Sequence, residues 1–251
     1  FYTYKLKHKL FGGIMKKIFA VIALFFAFVS TSAVAKNDYS CDKKFIFFPG
    51  GPEGGPFGTI VYNGAVAAAE HTGCDVDYYW SQWNSEIMIK QFKEAVALQP
   101  DGIAIYGFPG DAAMRPIIQE AREMGIVITT MNTPLPDLES EFKTEGFGYA
   151  GADLFDAGFN LGKKAVDVCG LQAGDKAFIW GLASMPNRGE RTKGAIAGVE
   201  AAGVEVVYQE IPDNVNSDAS QGTPMYVATY SANPDIKMAI TDHGGLTASL
   251  P

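Results

Sequence analysis

Gln99-Pro100-Asp101-Gly102-Ile103-Ala104-Ile105-Tyr106-Gly107-Phe108-Pro109-Gly110-Asp111 opens on a proline turn, passes through a short apolar run and ends in a loop of glycine and proline. A run of that length bounded by turn residues reads as a strand covered on both faces. Residues 112–124 then carry apolar side chains at spacings of three and four, the period of a helix. Gly125 follows, where a left-handed helix terminus favours glycine, and 126–131 is again apolar. A strand, a helix and a second strand joined by short turns form a βαβ unit, whose strands are parallel.

The same alternation extends in both directions. Strands are expected at 45–48, 76–80, 102–106, 126–131, 148–150, 176–180, 204–210 and 238–241, and helices at 60–71, 86–98, 112–124, 157–168, 191–202 and 220–231. Gly73 and Gly203 close two further helices as Gly125 does, and Asn233-Pro234-Asp235 makes a turn before the last strand. The fold class is α/β, with parallel sheets covered by helices on both faces. Two blocks emerge, 36–147 and 148–251, and the join holds Thr133-Pro134-Leu135-Pro136-Asp137, a composition that reads as a stiff loop rather than a helix. After the last strand come Asp242-His243-Gly244-Gly245 and the start of a helix that stops at Pro251, so the second lobe reads as truncated at its C-terminus.

Met15 to Ala35 reads as a secretory signal. Lys16 and Lys17 precede an apolar run over 18–29 that is short for a bilayer span, and Ala33-Val34-Ala35 offers small residues for cleavage. The mature chain is expected to begin near Lys36, with 1–14 an upstream translated segment. The 28 acidic residues outnumber the 20 basic ones, and the first 35 residues hold five lysines and no acid, so the remainder of the chain is strongly acidic. Such a surface repels phosphate backbones and argues against nucleic-acid binding.

An oxidising compartment allows the three cysteines one bridge. Cys41 and Cys74 each begin a Cys-Asp pair just before a strand-like run. If those strands are parallel neighbours, both sulfurs lie at one edge of the sheet and a disulfide is geometrically possible. Cys169, late in a helical stretch, reads as a buried small apolar residue. Cys41 lacks the apolar residues that precede a lipid-modified cysteine, since Asn37-Asp38-Tyr39-Ser40 is polar.

Ligands of open parallel sheets collect beyond the carboxyl ends of the strands. Here those segments hold Phe57, Trp83 and Phe108 together with Asn132, Arg188, Arg191, Asn214 and Asp242. Aromatic faces beside planar amide, carboxylate and guanidinium groups suit a sugar, which offers C–H faces and a fan of hydroxyls. Catalysis finds less support. Gly50-Gly51 and Gly54-Gly55 are not followed by the Gly-Lys-Ser/Thr of a phosphate loop, the prolines among them remove amide donors, and the dinucleotide-binding glycine spacing is absent. Ser184 and Ser217 have no evident base, and neither His8 nor His71 stands at metal-ligand spacing from Cys or Glu. The expectation is a binding protein without catalytic residues, metal or cofactor. A sugar-responsive transcription regulator would carry a DNA-binding domain where this chain has its signal.

From Phe45 through Asp242 the chain resembles the type I periplasmic sugar-binding proteins of ABC transporters, the ribose and galactose group. The resemblance rests on Pro56-Phe57 after the first strand, Gly64 with Ala67-Ala68-Ala69-Glu70, Gln99-Pro100-Asp101-Gly102-Ile103, the segment 121–127, Tyr149-Ala150-Gly151-Ala152-Asp153 with Gly158, Arg191 with Gly194, and Asn233-Pro234-Asp235-Ile236. It implies two lobes joined by a hinge that close on a sugar or polyol in the periplasm and hand it to an inner-membrane ABC permease. It further implies that Phe57 stacks on the ligand, that Asn132 supplies a polar group, that Arg191 or Arg188 faces the ligand, and that Asp242 follows the last strand as a ligand group. Gly58 stands where the ribose type has a second aromatic. Delivery to a chemoreceptor or sensor kinase, and a non-sugar ligand in the same cleft, are the alternatives that this resemblance leaves open.

Overall fold

The computed structural model describes residues 41–249. The expected upstream segment 1–14 and signal 15–35 lie outside the described residues. Among the described residues eight strands form two parallel sheets. The first contains β1 (Lys44–Phe47), β2 (Asp75–Tyr78), β3 (Gly102–Ile105), β4 (Val127–Met131) and β5 (Gly148–Ala150), in the order β2-β1-β3-β4-β5. The second contains β6 (Lys176–Gly181), β7 (Glu205–Glu210) and β8 (Ile236–Thr241), in the order β7-β6-β8.

The helices, except the last, run between strands, as parallel pairing requires. They are α1 (Pro56–Thr72), α2 (Ser85–Ala97), α3 (Asp111–Glu123), α4 (Pro136–Phe142), α5 (Leu154–Cys169), α6 (Glu190–Glu200), α7 (Asp213–Ser217), α8 (Thr223–Ala232) and α9 (Gly244–Ser249). Their ends follow local chemistry. Pro56 sits in the first turn of α1, where its missing N–H costs nothing, and Gly73 closes that helix in the left-handed region at φ 73°. The Asn84 side chain caps α2 by accepting from the Ile87 amide at 2.9 Å, and Asp153 caps α5 by accepting from the Asp156 amide at 2.9 Å.

Ile46, Phe48, Met88, Phe92, Ile103, Ile105, Met114 and Ile128 form the core of the first lobe. In β6 the alternation of a strand separates two cores: Ala177 and Ile179 pack with Val166, Val199 and Ile240 on one face, and Phe178 and Trp180 pack with Ile211, Val215 and Leu246 on the other. The second sheet is therefore covered on both sides.

Three expectations are corrected. Strand Gly148–Ala150, assigned from the sequence to the second block, pairs with β4 in the first sheet, so the chain leaves the first lobe after Ala150 and not at 147/148. The stretch expected to be a stiff loop ends in the first turn of α4. Proline is tolerated at a first helical position, and the Asp111 carboxylate supplies the cap from outside by accepting the amides of Asp137 and Leu138, both at 3.0 Å. Cys169, expected to be buried, is an exposed free thiol at the end of α5. Cys41 and Cys74 form a disulfide with Cα atoms 4.6 Å apart, beside the parallel register of β1 on β2.

Candidate functional site

In both sheets strand order reverses beside the first strand of the lobe, between β1 and β3 and between β6 and β8. Loops diverge at such a point and leave a crevice. The two crevices face each other across one cavity of about 310 Å³. Its walls come from the segments after β1, β2, β3 and β4 on one lobe and from those around 182–191, 216–220 and 243–245 on the other.

The first wall is aromatic. Trp83 is held by a tight turn in which Gln82 and Trp83 adopt positive φ of 57° and 53°, while the Trp83 amide donates to the Gly50 carbonyl at 2.9 Å. The indole lies directly on the Gly50-Gly51 backbone. A Cβ at Gly50 would stand 2.4 Å from the Trp83 ring and one at Gly51 2.7 Å, so this glycine pair makes room for an aromatic ring. Phe57, in the first turn of α1, lies 6.0 Å from Trp83 between ring centroids, and Tyr106 and Phe108 meet Trp83 edge-on at 5.5 and 6.3 Å. Asn132 (φ 58°) and Thr133 complete this wall where the chain leaves β4. The hydroxyls of Tyr106 and Thr133 are buried without a partner among the described residues, and burial raises the Tyr106 phenol far above its ordinary value. Unpaired polar groups at a cavity are ready to meet a ligand or water.

The second wall is cationic. Asp242 follows β8 and is 6% exposed. Its carboxylate accepts Arg188 Nη1 at 2.8 Å, Arg188 Nη2 at 3.0 Å and Arg191 Nε at 2.6 Å, together with the Thr192 hydroxyl. Burial opposes ionisation of Asp242 most strongly, yet the charges of Arg188 and Arg191 and the hydrogen bonds they make hold it below the ordinary carboxylate range. Burial and then the like charge of Arg188 lower Arg191 from its usual value. His243 donates from Nε2 to the Asn216 carbonyl at 3.2 Å, while Nδ1 accepts the Leu246 amide at 3.2 Å. With burial lowering its pKa, His243 is neutral at neutral pH.

Phe57, Trp83, Phe108, Asn132, Arg188 and Arg191 all line this cavity. Two residues of the expected ligand set do not. Asn214 points away, donating to Gln221 Oε1 at 2.8 Å, because the short helix α7 turns Val215 and Asn216 inward instead. Asp242 lies beneath the surface, occupied by the two arginines. Tyr106, Asn216 and His243 line the cavity without having been expected there. A hydrophobic run ending in a phenol was the available signal for Tyr106.

Beside the cavity the lobes touch again. Asn187 Nδ2 donates to Asp111 Oδ2 at 2.9 Å and to the Pro134 carbonyl at 3.0 Å, joining the loop after β6 to the first lobe. Among the described residues no helix is long and apolar enough to cross a membrane, and no group of three or more His, Cys, Asp or Glu stands together as a metal site.

A family model described as the periplasmic binding protein domain matches residues 46–249. No curated protein matches the chain. Among solved structures, a glucose-galactose binding protein, GanP, from Geobacillus stearothermophilus is similar with TM-score 0.67 and 22% identity, over 82% of this chain and 71% of that one. A solute binding protein of an ABC transporter from Burkholderia graminis C4D1M, in complex with D-arabinose, gives TM-score 0.70 and 21% identity over 84% and 69%. A periplasmic solute binding protein of an ABC transporter from Actinobacillus succinogenes 130z, with bound D-allose, gives 0.66 and 20% over 82% and 72%. These likenesses are likenesses of fold.

Proposed function

Because the chain belongs to the periplasmic binding protein domain family, whose members bind solutes and are not enzymes, we propose that it captures a monosaccharide-like sugar or polyol between its two lobes for import. One observation carries this reading: a single cavity has aromatic rings on one lobe and guanidinium and amide groups on the other, so one small ligand would touch both. Phe57 and Trp83 would cover a C–H face, while Asn132, Asn216, Arg188 and Arg191 would bond hydroxyls or other oxygens. The names of the similar structures, which include proteins with arabinose, allose and myo-inositol, support a ligand of this size.

In this reading the output is a conformational state and not a chemical product. A ligand with contacts on both lobes favours the closed arrangement by its differential affinity for it. The partner that reads this state is an inner-membrane ABC permease, and the N-terminal signal delivers the chain to the periplasm. The test is a thermal-shift screen of the folded protein against pentoses, hexoses and polyols. A ligand that binds only the native state adds about 2.7 kcal/mol of stability at one hundred times Kd and thereby raises the melting temperature. A shift with one or a few sugars is expected. No shift with any of them would move the ligand outside this chemical class.

A further inference from the structure

Among the described residues the charges inside the cleft do not balance. Two guanidiniums, Arg188 and Arg191, share one carboxylate, Asp242, and that carboxylate already accepts three bonds from them and one from Thr192. Arg191 uses only Nε for this contact. Among the described residues neither of its terminal nitrogens has a partner, although its side chain is only 29% exposed and lies on the cavity wall. The opposite wall offers no compensating charge, since Phe57, Trp83, Tyr106, Phe108, Asn132 and Thr133 are all neutral. Asp218, at the rim, is exposed and turned toward Ser220 and Gln221. His243 is neutral.

Among the described residues, with the exposed Asp218 set aside at the rim, the inner cleft therefore holds one positive charge in excess, presented as a planar pair of N–H donors. A guanidinium fork without a partner and partly removed from water is costly, and a carboxylate matches its geometry with two parallel bonds. A sugar hydroxyl satisfies the donors but leaves the charge. A phosphate, with close to two negative charges at neutral pH, would exceed the single positive charge available.

We propose that the ligand carries one carboxylate, held by the terminal nitrogens of Arg191, with its ring against Phe57 and Trp83: a sugar acid of the uronate kind. This rests on the reading that the cleft holds a monosaccharide-like ligand. Aromatic wall and cationic wall then divide the ligand between them, apolar face on the first lobe and anionic edge on the second.

The test is calorimetric titration of the protein at neutral pH with matched pairs: D-galactose against D-galacturonate and D-glucose against D-glucuronate. In at least one pair the acid is expected to bind about tenfold more tightly than its neutral partner, the scale of a charge-assisted bidentate contact. Arg191→Gln, checked for folding by circular dichroism, is expected to bring that ratio to within about threefold; the ratio in the unaltered protein tests the proposal without any variant. Neutral sugars that bind as tightly as their acids overturn the inference and leave the sugar reading standing. Absence of binding by both members of every pair and by every neutral sugar and polyol overturns both.

Discussion

Asp242 is the residue on which the second wall depends. Two arginines reach it from α6 and the loop before that helix, and Thr192 both donates to it and accepts the Leu182 amide at 3.0 Å, so one buried carboxylate ties β8 to α6. Asp242→Asn keeps the shape and removes the charge, leaving two guanidiniums uncompensated; urea unfolding should show a loss of about 3–5 kcal/mol at neutral pH. Since the folded carboxyl titrates below the ordinary value of 3.8, its contribution is complete above that value and is lost as pH falls through the lower folded one. The difference between wild type and Asp242→Asn should therefore shrink in strong acid. A difference independent of pH would show that the charge is not what matters. Sequence alone brought Arg188, Arg191 and Asp242 together as chemistry, but a set of loop residues cannot say which of them bond one another. It could not separate Asn214 from Asn216 either, because a single turn of α7 decides which of two neighbouring asparagines faces inward.

Among the elements, the crossing of α5 on α6 sets where Arg191 stands. The two backbones approach at glycines: a Cβ at Gly158 would lie 2.0 Å from the Arg191 carbonyl oxygen, and one at Gly194 2.1 Å from that of Phe155. In an open helix Gly194→Ala would gain about 1 kcal/mol. Here the methyl meets backbone that cannot rotate away, and overpacking of this kind costs about 1–3 kcal/mol, so the net sign is destabilising. We expect Gly194→Ala to lower the denaturation midpoint and to weaken ligand binding through the displaced Arg191. An unchanged or raised midpoint would mean that the helices have room to separate. The strands were legible because an apolar run between turn residues has few other readings, and the observed strands fall within one or two residues of those expected. Helix α4 was not legible, since its start depends on a cap from Asp111, distant in sequence. The sheet to which Gly148–Ala150 belongs was hidden for a related reason: three residues carry no pattern that selects one partner strand.

At the scale of the molecule, the two sheets aim their carboxyl edges at one cavity, and Asn187 holds the lobes together beside it through Asp111 and Pro134. The disulfide between Cys41 and Cys74, closing a separation of 33 residues, ties the start of β1 to that of β2; in the chain-entropy picture it adds about 4 kcal/mol. It stiffens the sheet that carries Phe57, Trp83 and Phe108. In the proposed function one ligand is gripped by both lobes at once. The most direct measurement is a calorimetric titration of the strongest ligand from the sugar screen into wild type, Phe57→Ala and Arg191→Ala, each shown to be folded. Each variant, altered on a different lobe, should bind about tenfold or more weakly. If either binds as tightly as the wild type, the ligand does not bridge the two walls.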